Sequence, residues 1–271
     1  PRETPLVILA DGEVAGVPFA ALRESEEGRY LVQDHPLRYA PTLADAFRAT
    51  PAGRDTGEVL LVADPEFDQL HNLGLDRLSG ARPEADSIAT LYAERDRRRL
   101  DGRNATRAAF VERAPAASII HYAGHAIFDD ARPERSHLVL AGADTTGRLT
   151  AEAVESLRLD GVRLVVLSAC RTLRSREGRS GGFAGLSGAL LTAGVDGVVG
   201  SLWQVDDTLT QPLMMAFHRV YSRRGDPARA LRAAQLWMLS SGNPAHRSPT
   251  AWAGFRYTGG LVPDVAARSR P

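Results

Sequence analysis

Apolar residues in this chain fall into short unbroken runs, each followed by a segment in which they recur at helical spacing. The run EVLLVAD (58 to 64) has no polar alternation and ends in Asp64-Pro65, the pattern of a strand covered on both faces. In PEADSIATLYAERDR (83 to 97), Ala85, Ile88, Ala89 and Tyr92 share one helical stripe, and Pro83 suits the first turn. The alternation then predicts a helix from Thr106 to Arg113 and strands SIIHYAGH (118 to 125) and HLVLAG (137 to 142). A helix TAEAVESL (150 to 157) and a strand RLVVLSAC (163 to 170) come next. A small-residue helix over 185 to 193 leads to strand GVVGSLW (197 to 203), a helix over 207 to 222, and another opened by Asp226 with Pro227 in its first turn. AWAGFRYTG (251 to 259) reads as the closing strand.

Strand and helix in alternation with short connections predict a three-layer α/β/α sandwich on a mostly parallel central sheet. At the start, LVILADGEVAGVPFAAL (6 to 22) places apolar runs around Asp11-Gly12 and Gly16, which predicts an N-terminal β-hairpin. RATPAGRDTG (48 to 57) reads as a linker. The expectation is one domain over 1–271, with a hairpin subregion at 1–55 and a core at 56–271.

Composition narrows the function classes. Basic and acidic side chains balance at 33 each, so no overall field draws in nucleic acid or an anionic membrane. No apolar run reaches the roughly 18 residues of a membrane span, and the start Pro1-Arg2-Glu3-Thr4 lacks the order of a signal peptide. A cytoplasmic protein without membrane or direct nucleic-acid contact is expected. Because the chain begins at Pro1 and not at Met, it reads as a fragment or processed product, with a partner region expected N-terminal to it. The absence of lysine excludes a phosphate-binding G-x-x-x-x-G-K-[ST] loop, and no calcium-loop pattern occurs. Cys170 is the only cysteine, which excludes an intrachain disulfide and a multi-cysteine zinc site. No metal and no cofactor are expected.

The thiol is then open to chemistry. In open parallel sheets reactive groups collect at the carboxyl ends of strands, and both His125 and Cys170 occupy such ends. If their strands are neighbours, an imidazole and a thiol face one crevice. The imidazole can take the thiol proton and later return it to a departing amine. Backbone N–H groups at Gly124, Ala126 and Cys170 are candidate donors to the oxyanion of the intermediate. A chance pairing of one His and one Cys at strand ends is the competing reading on these facts alone.

The residue context adds a family. HYAGHA (121 to 126), LSACRT (167 to 172) and LWQVDD (202 to 207), in that order, resemble the His-Leu-Ala-Thr-His-Gly, Leu-Ser-Ala-Cys-Glu-Thr and Leu-Trp-Pro-Val-Asp-Asp runs of the CHAT domain family. These are caspase-haemoglobinase-like, separase-related cysteine peptidases of clan CD, often found after tetratricopeptide repeats. The resemblance covers essentially the whole chain and implies a caspase-like fold, with Cys170 as nucleophile, His125 as acid/base and His121 as a buried structural histidine. Ala126 stands where the family has glycine; it keeps the N–H and adds a methyl. Arg171 stands where glutamate is common, and a cation there favours thiolate.

On that reading the chain is a cysteine endopeptidase acting on a protein substrate, regulated from outside this segment by an N-terminal repeat or sensor region, as in bacterial defence systems. A side pocket built from Asp206, Asp207 and Ser168 would select a basic residue before the cut. Helix capping is the competing role for Asp206. The loop carrying Arg171, Arg174, Arg176 and Arg179 is a candidate activation or substrate-entry loop, or simply a solvated one. Two other readings stay open: a CHAT-fold binding or scaffold module without useful catalysis, and a Cys-His hydrolase for small molecules.

Overall fold

The computed structural model describes residues 3–50, 57–68, 74–129, 131–169, 185–204 and 206–261. Its strands in chain order are β1 (Leu6–Ile8), β2 (Leu37–Tyr39), β3 (Glu58–Pro65), β4 (Arg97–Gly102), β5 (Ala117–Ala123), β6 (Ala126–Ile127), β7 (His137–Val139), β8 (Arg148–Thr150), β9 (Leu164–Ser168), β10 (Gly197–Ser201) and β11 (Phe255–Gly259). The helices are α1 (Leu31–Asp34), α2 (Leu43–Phe47), α3 (Ala81–Ala89), α4 (Arg107–Arg113), α5 (Ala151–Glu155), α6 (Leu186–Thr192), α7 (Asp207–Arg224), α8 (Pro227–Leu239), α9 (Pro244–Arg247) and α10 (Pro249–Trp252). The central sheet runs β1-β2-β11-β10-β9-β5-β3-β4, and β6, β7 and β8 form a separate small antiparallel sheet. Within the central sheet every neighbouring pair is parallel except β10 with β11.

Alternate residues of the apolar strands feed two cores. From β3, Val59 and Leu61 pack with Ile88 of α3, Leu213 and Phe217 of α7 and Leu231 of α8. Leu60 and Val62 point the other way, into Phe110 of α4, Val154 of α5 and Leu190 of α6. Both faces are therefore covered by helices, which explains why the strand shows no polar alternation. The three-layer α/β/α arrangement read from the alternating pattern is the observed one.

The N-terminal hairpin is not. Leu6–Ile8 is the one strand in that stretch, and it pairs in parallel with β2, some thirty residues on. Gly12–Gly16 and Phe19–Ala21 form 3-10 turns, the first capped by Asp11 through the N–H of Gly12. These turns carry Phe19 edge-on to Tyr39, with ring centroids 6.2 Å apart, so its apolar surface is buried by packing and not by strand pairing. Buried arginines tie this segment to the sheet. Arg38 donates to the Gly259 carbonyl at 2.9 Å, and Arg256 donates to the Ala15 carbonyl while lying 4.8 Å from the Tyr39 ring centroid.

The helix expected over 83 to 97 stops at Ala89. The Thr90 hydroxyl donates to the Ser87 carbonyl at 2.7 Å, and Arg97 donates to the Ala89 carbonyl at 2.9 Å, closing the carboxyl end. Arg97–Gly102 is then the edge strand β4, whose exposed Arg98 and Arg99 pair with acids, Arg98 with Glu58 at 3.2 Å and Arg99 with Asp86 and Asp101. A charged edge is one that does not recruit another chain, and it hides its strand character from hydropathy. Over 251 to 259, the first residues belong to α10 and only Phe255–Gly259 is strand. Among the described residues no helix is long and apolar enough to cross a membrane.

Candidate active site

The carboxyl ends of β5, β9 and β10 lie side by side because these strands are parallel neighbours. In β5 and β9, Ala123 is in register with Ser168. His125 and Cys170 each follow that registered pair by two residues of sequence. Cys170 itself, with Arg171, Arg174, Arg176 and Arg179, lies outside the described residues.

His125 is half-buried, and its ring is held from two sides. Nε2 lies 2.6 Å from the Asp76 carbonyl oxygen, and the Phe67 ring meets it edge to face at 5.4 Å between centroids. A carbonyl only accepts, so Nε2 carries the proton and Nδ1 is the basic nitrogen of the neutral ring. The main chain around it is also fixed. The Tyr122 hydroxyl lies 2.7 Å from the His125 carbonyl and 2.8 Å from that of Val139, sharing its proton between them. A Cβ on Gly124 would stand 2.6 Å from that hydroxyl, so this position requires glycine.

Of the candidate oxyanion donors, Gly124 and Ala126 are among the described residues. The Gly124 N–H is directed to the Ser168 carbonyl at 3.4 Å, across the β5–β9 junction. Val139 N–H donates to the His125 carbonyl at 2.9 Å, so His125 and Val139 are a hydrogen-bonded pair. The next pair, Ala126 with Leu138, is of the non-hydrogen-bonded kind, and the Ala126 N–H points away from β7.

A crevice at these strand ends is lined by Ala123, Gly124, Ser168 and Ser201, and by two carboxylates, Glu84 and Asp207. Asp207 opens α7 and packs against Gly80, where any Cβ would come within 2.8 Å of its own. Burial pushes the Asp207 carboxyl up, and the neighbouring Glu84 and Asp206 charges act the same way, against a Gly80 N–H hydrogen bond and His125. Asp206 has a different place. It is exposed, caps α7, and accepts from the Thr208 N–H at 2.8 Å and from the Thr208 hydroxyl, contacts that hold its carboxyl below the usual range. Ser168 ends β9 beside Asp207 in the crevice.

Glu84 was not singled out in the sequence, although a signal was there. It falls on the stripe Ala81, Ala85 and Ile88 of α3, a core position where an acid needs a partner. The partner is His121, whose Nε2 donates to Glu84 at 2.9 Å; both are buried. His121 Nδ1 then accepts from His218 Nε2 at 3.1 Å, and His218 Nδ1 accepts from the Tyr92 hydroxyl at 2.8 Å. The motif comparison implied a buried histidine on this strand, and His121 is buried.

Burial, aided by His121, holds the His218 imidazole well below its ordinary range. In the unfolded chain this group takes up a proton below about pH 6.5, while the folded state resists it. Stability should therefore fall as pH drops through that value, by up to about 1.4 kcal/mol per pH unit for this one group. Denaturant unfolding at pH 7.5, 6.5 and 5.5 should show the slope, and His218→Gln should flatten it; an unchanged slope would assign the acid sensitivity elsewhere.

Residues 1–260 match the family described as "CHAT domain". Tetratricopeptide repeat protein 28 of Mus musculus is 26% identical over 96% of this chain and 12% of its own length, and that of Homo sapiens is 25% identical over the same shares. This chain spans only that small part of the curated relatives. The separase in the Saccharomyces cerevisiae separase–securin complex superimposes with a TM-score of 0.59 at 11% identity, over 94% of this chain and 16% of that one, a likeness of fold. With nearly its whole length matched, the chain belongs to the CHAT domain family.

Proposed function

We propose that this domain is a cysteine endopeptidase cutting a protein substrate after a basic residue. The observation that supports it most is the β5–β9 register, which sets the carboxyl ends of the strands leading to His125 and Cys170 side by side, next to a crevice with carboxylates. In this reading Nδ1 of His125 takes the Cys170 proton. The thiolate then forms a bond to the scissile carbonyl carbon, and the π electrons move to oxygen, where the Ala126 and Cys170 N–H groups receive them. Collapse breaks the C–N bond as His125 returns its proton to the amine. Water, deprotonated by the same nitrogen, hydrolyses the thioester and restores the thiol.

Asp207, with Glu84 beneath it, would pair with the guanidinium or ammonium of the substrate residue before the cut. The mouse and human relatives are named for tetratricopeptide repeats, which supports a repeat region outside this segment as the partner that controls access.

A fluorogenic peptide library that varies the residue before the cut tests this, run beside a Cys170→Ala control and read also by intact mass. Cleavage after Arg that the control lacks is the expected result. If no peptide is cut, a peptide-like alkylating probe decides at neutral pH. Labelling of Cys170 indicates a latent enzyme, and an inert thiol favours a binding module and overturns the proposal.

A further inference from the structure

Asp64 is one of two non-glycine residues in the left-handed region among those described, with φ of 47°. It follows the apolar run of β3, is 7% exposed, and its carboxylate would be costly to bury alone. Arg77 closes on it as a two-pronged partner, with Nε donating to Oδ1 at 3.0 Å and Nη2 to Oδ2 at 2.6 Å. Arg82 adds a second cation at 3.5 Å from Oδ2. Arg77 is the residue after Asp76, whose carbonyl accepts the Nε2 proton of His125.

We propose that Arg77, anchored on the end of β3 by Asp64, is a positioning residue that holds the Asp76 carbonyl against His125 and so keeps the imidazole in its Nε2–H tautomer. The carbonyl belongs to a segment without regular secondary structure, between residue 74 and α3. An acceptor on such a segment orients a ring only if its backbone is pinned, and a bidentate guanidinium–carboxylate pair fixes direction as well as distance. The strained Asp64 backbone fits this role, because the left-handed turn aims the carboxylate out of the sheet toward Arg77. Arg77 is 67% exposed, so the pair is not needed to fill the core. Its catalytic consequence rests on the peptidase reading above; the tautomer itself does not.

The test uses the full chain labelled with 15N histidine, as wild type and as Arg77→Ala, Arg77→Lys and Asp64→Asn. The expected result for Arg77→Ala is a loss of Nε2–H population at His125 with folding intact, since Arg82 still accompanies Asp64. On the best library peptide, kcat should fall about tenfold with KM within twofold, and the alkaline and acid limbs of the pH profile should move. Arg77→Lys should restore part of both, and Asp64→Asn should resemble Arg77→Ala. An unchanged His125 tautomer in Arg77→Ala overturns the proposal, whether or not kcat changes. If wild type cleaves no peptide and Cys170 is inert to the alkylating probe, the peptidase reading fails while the nitrogen shifts still decide this one.

Discussion

His125→Ala is expected to lower the rate of peptide cleavage about a thousandfold while leaving the fold in place. Removing a positioned acid/base typically costs two to four orders of magnitude, and in the proposed mechanism one nitrogen performs three transfers: thiol proton out, amine proton in, water proton out. Its stability contribution is small by comparison. The ring is half-buried, and its hydrogen bond to the Asp76 carbonyl is of a kind worth about 1 kcal/mol net. His125→Gln preserves a donor for that carbonyl but has no base, so it should be as inactive as alanine. His121 supplies the contrast from four residues earlier, inside β5. It is fully buried against Glu84, and His121→Ala leaves a carboxylate without its partner in the interior. That substitution should cost about 3–5 kcal/mol in denaturant unfolding. Steady-state rates and unfolding midpoints on the same preparations separate the two histidines. A His125→Ala enzyme within tenfold of wild type would remove this residue from the mechanism.

What could be read from the sequence and what could not follows from how each residue type is used. The apolar runs of β3, β5, β9 and β10 were legible because both faces of the sheet are covered, so nearly every residue is apolar and the strands need no register to be seen. Cys170 and His125 stood out by position, at the ends of two such runs, and the order of three motifs supplied the family. The edge strand β4 was hidden because Arg98 and Arg99 are exposed, and the helix before it ran on in pattern past the Thr90 stop. At the N-terminus, glycine and alternating apolar residues suit a hairpin and a pair of 3-10 turns equally well; only the partner, β2, decides between them. Asp206 and Asp207 looked alike in sequence, and a single step along the start of α7 turns one to solvent as a cap and the other toward the crevice. Glu84, Asp64 and Arg77 were missed for one reason. Their importance comes from contacts across the fold, to His121 and to each other, which local pattern does not encode.

Asp207→Asn is expected to lower kcat/KM for peptides with Arg before the cut by about a hundredfold and to leave the slow cleavage of Leu peptides nearly unchanged. Truncating one member of a desolvated charge pair at an interface costs about 2–5 kcal/mol, and an amide keeps the shape while losing the charge. Asp207 is the carboxylate to choose because it lines the crevice, whereas Asp206→Asn should affect the cap of α7 and leave the Arg-over-Leu ratio in place. The pH dependence gives a second signature. Burial raises the Asp207 carboxyl above the ordinary range, so on acidification the free enzyme loses this charge before exposed carboxylates titrate. Bound arginine favours the ionised form, so the loss should appear in kcat/KM, which reports the free enzyme, earlier than in kcat. A plot of the Arg-over-Leu ratio against pH should therefore bend downward on the acid side in wild type and be flat in Asp207→Asn. If the ratio instead survives the substitution, Glu84 alone supplies the charge, and Glu84→Gln should then abolish the preference, with a simultaneous loss of stability because the His121 Nε2–H loses its carboxylate acceptor.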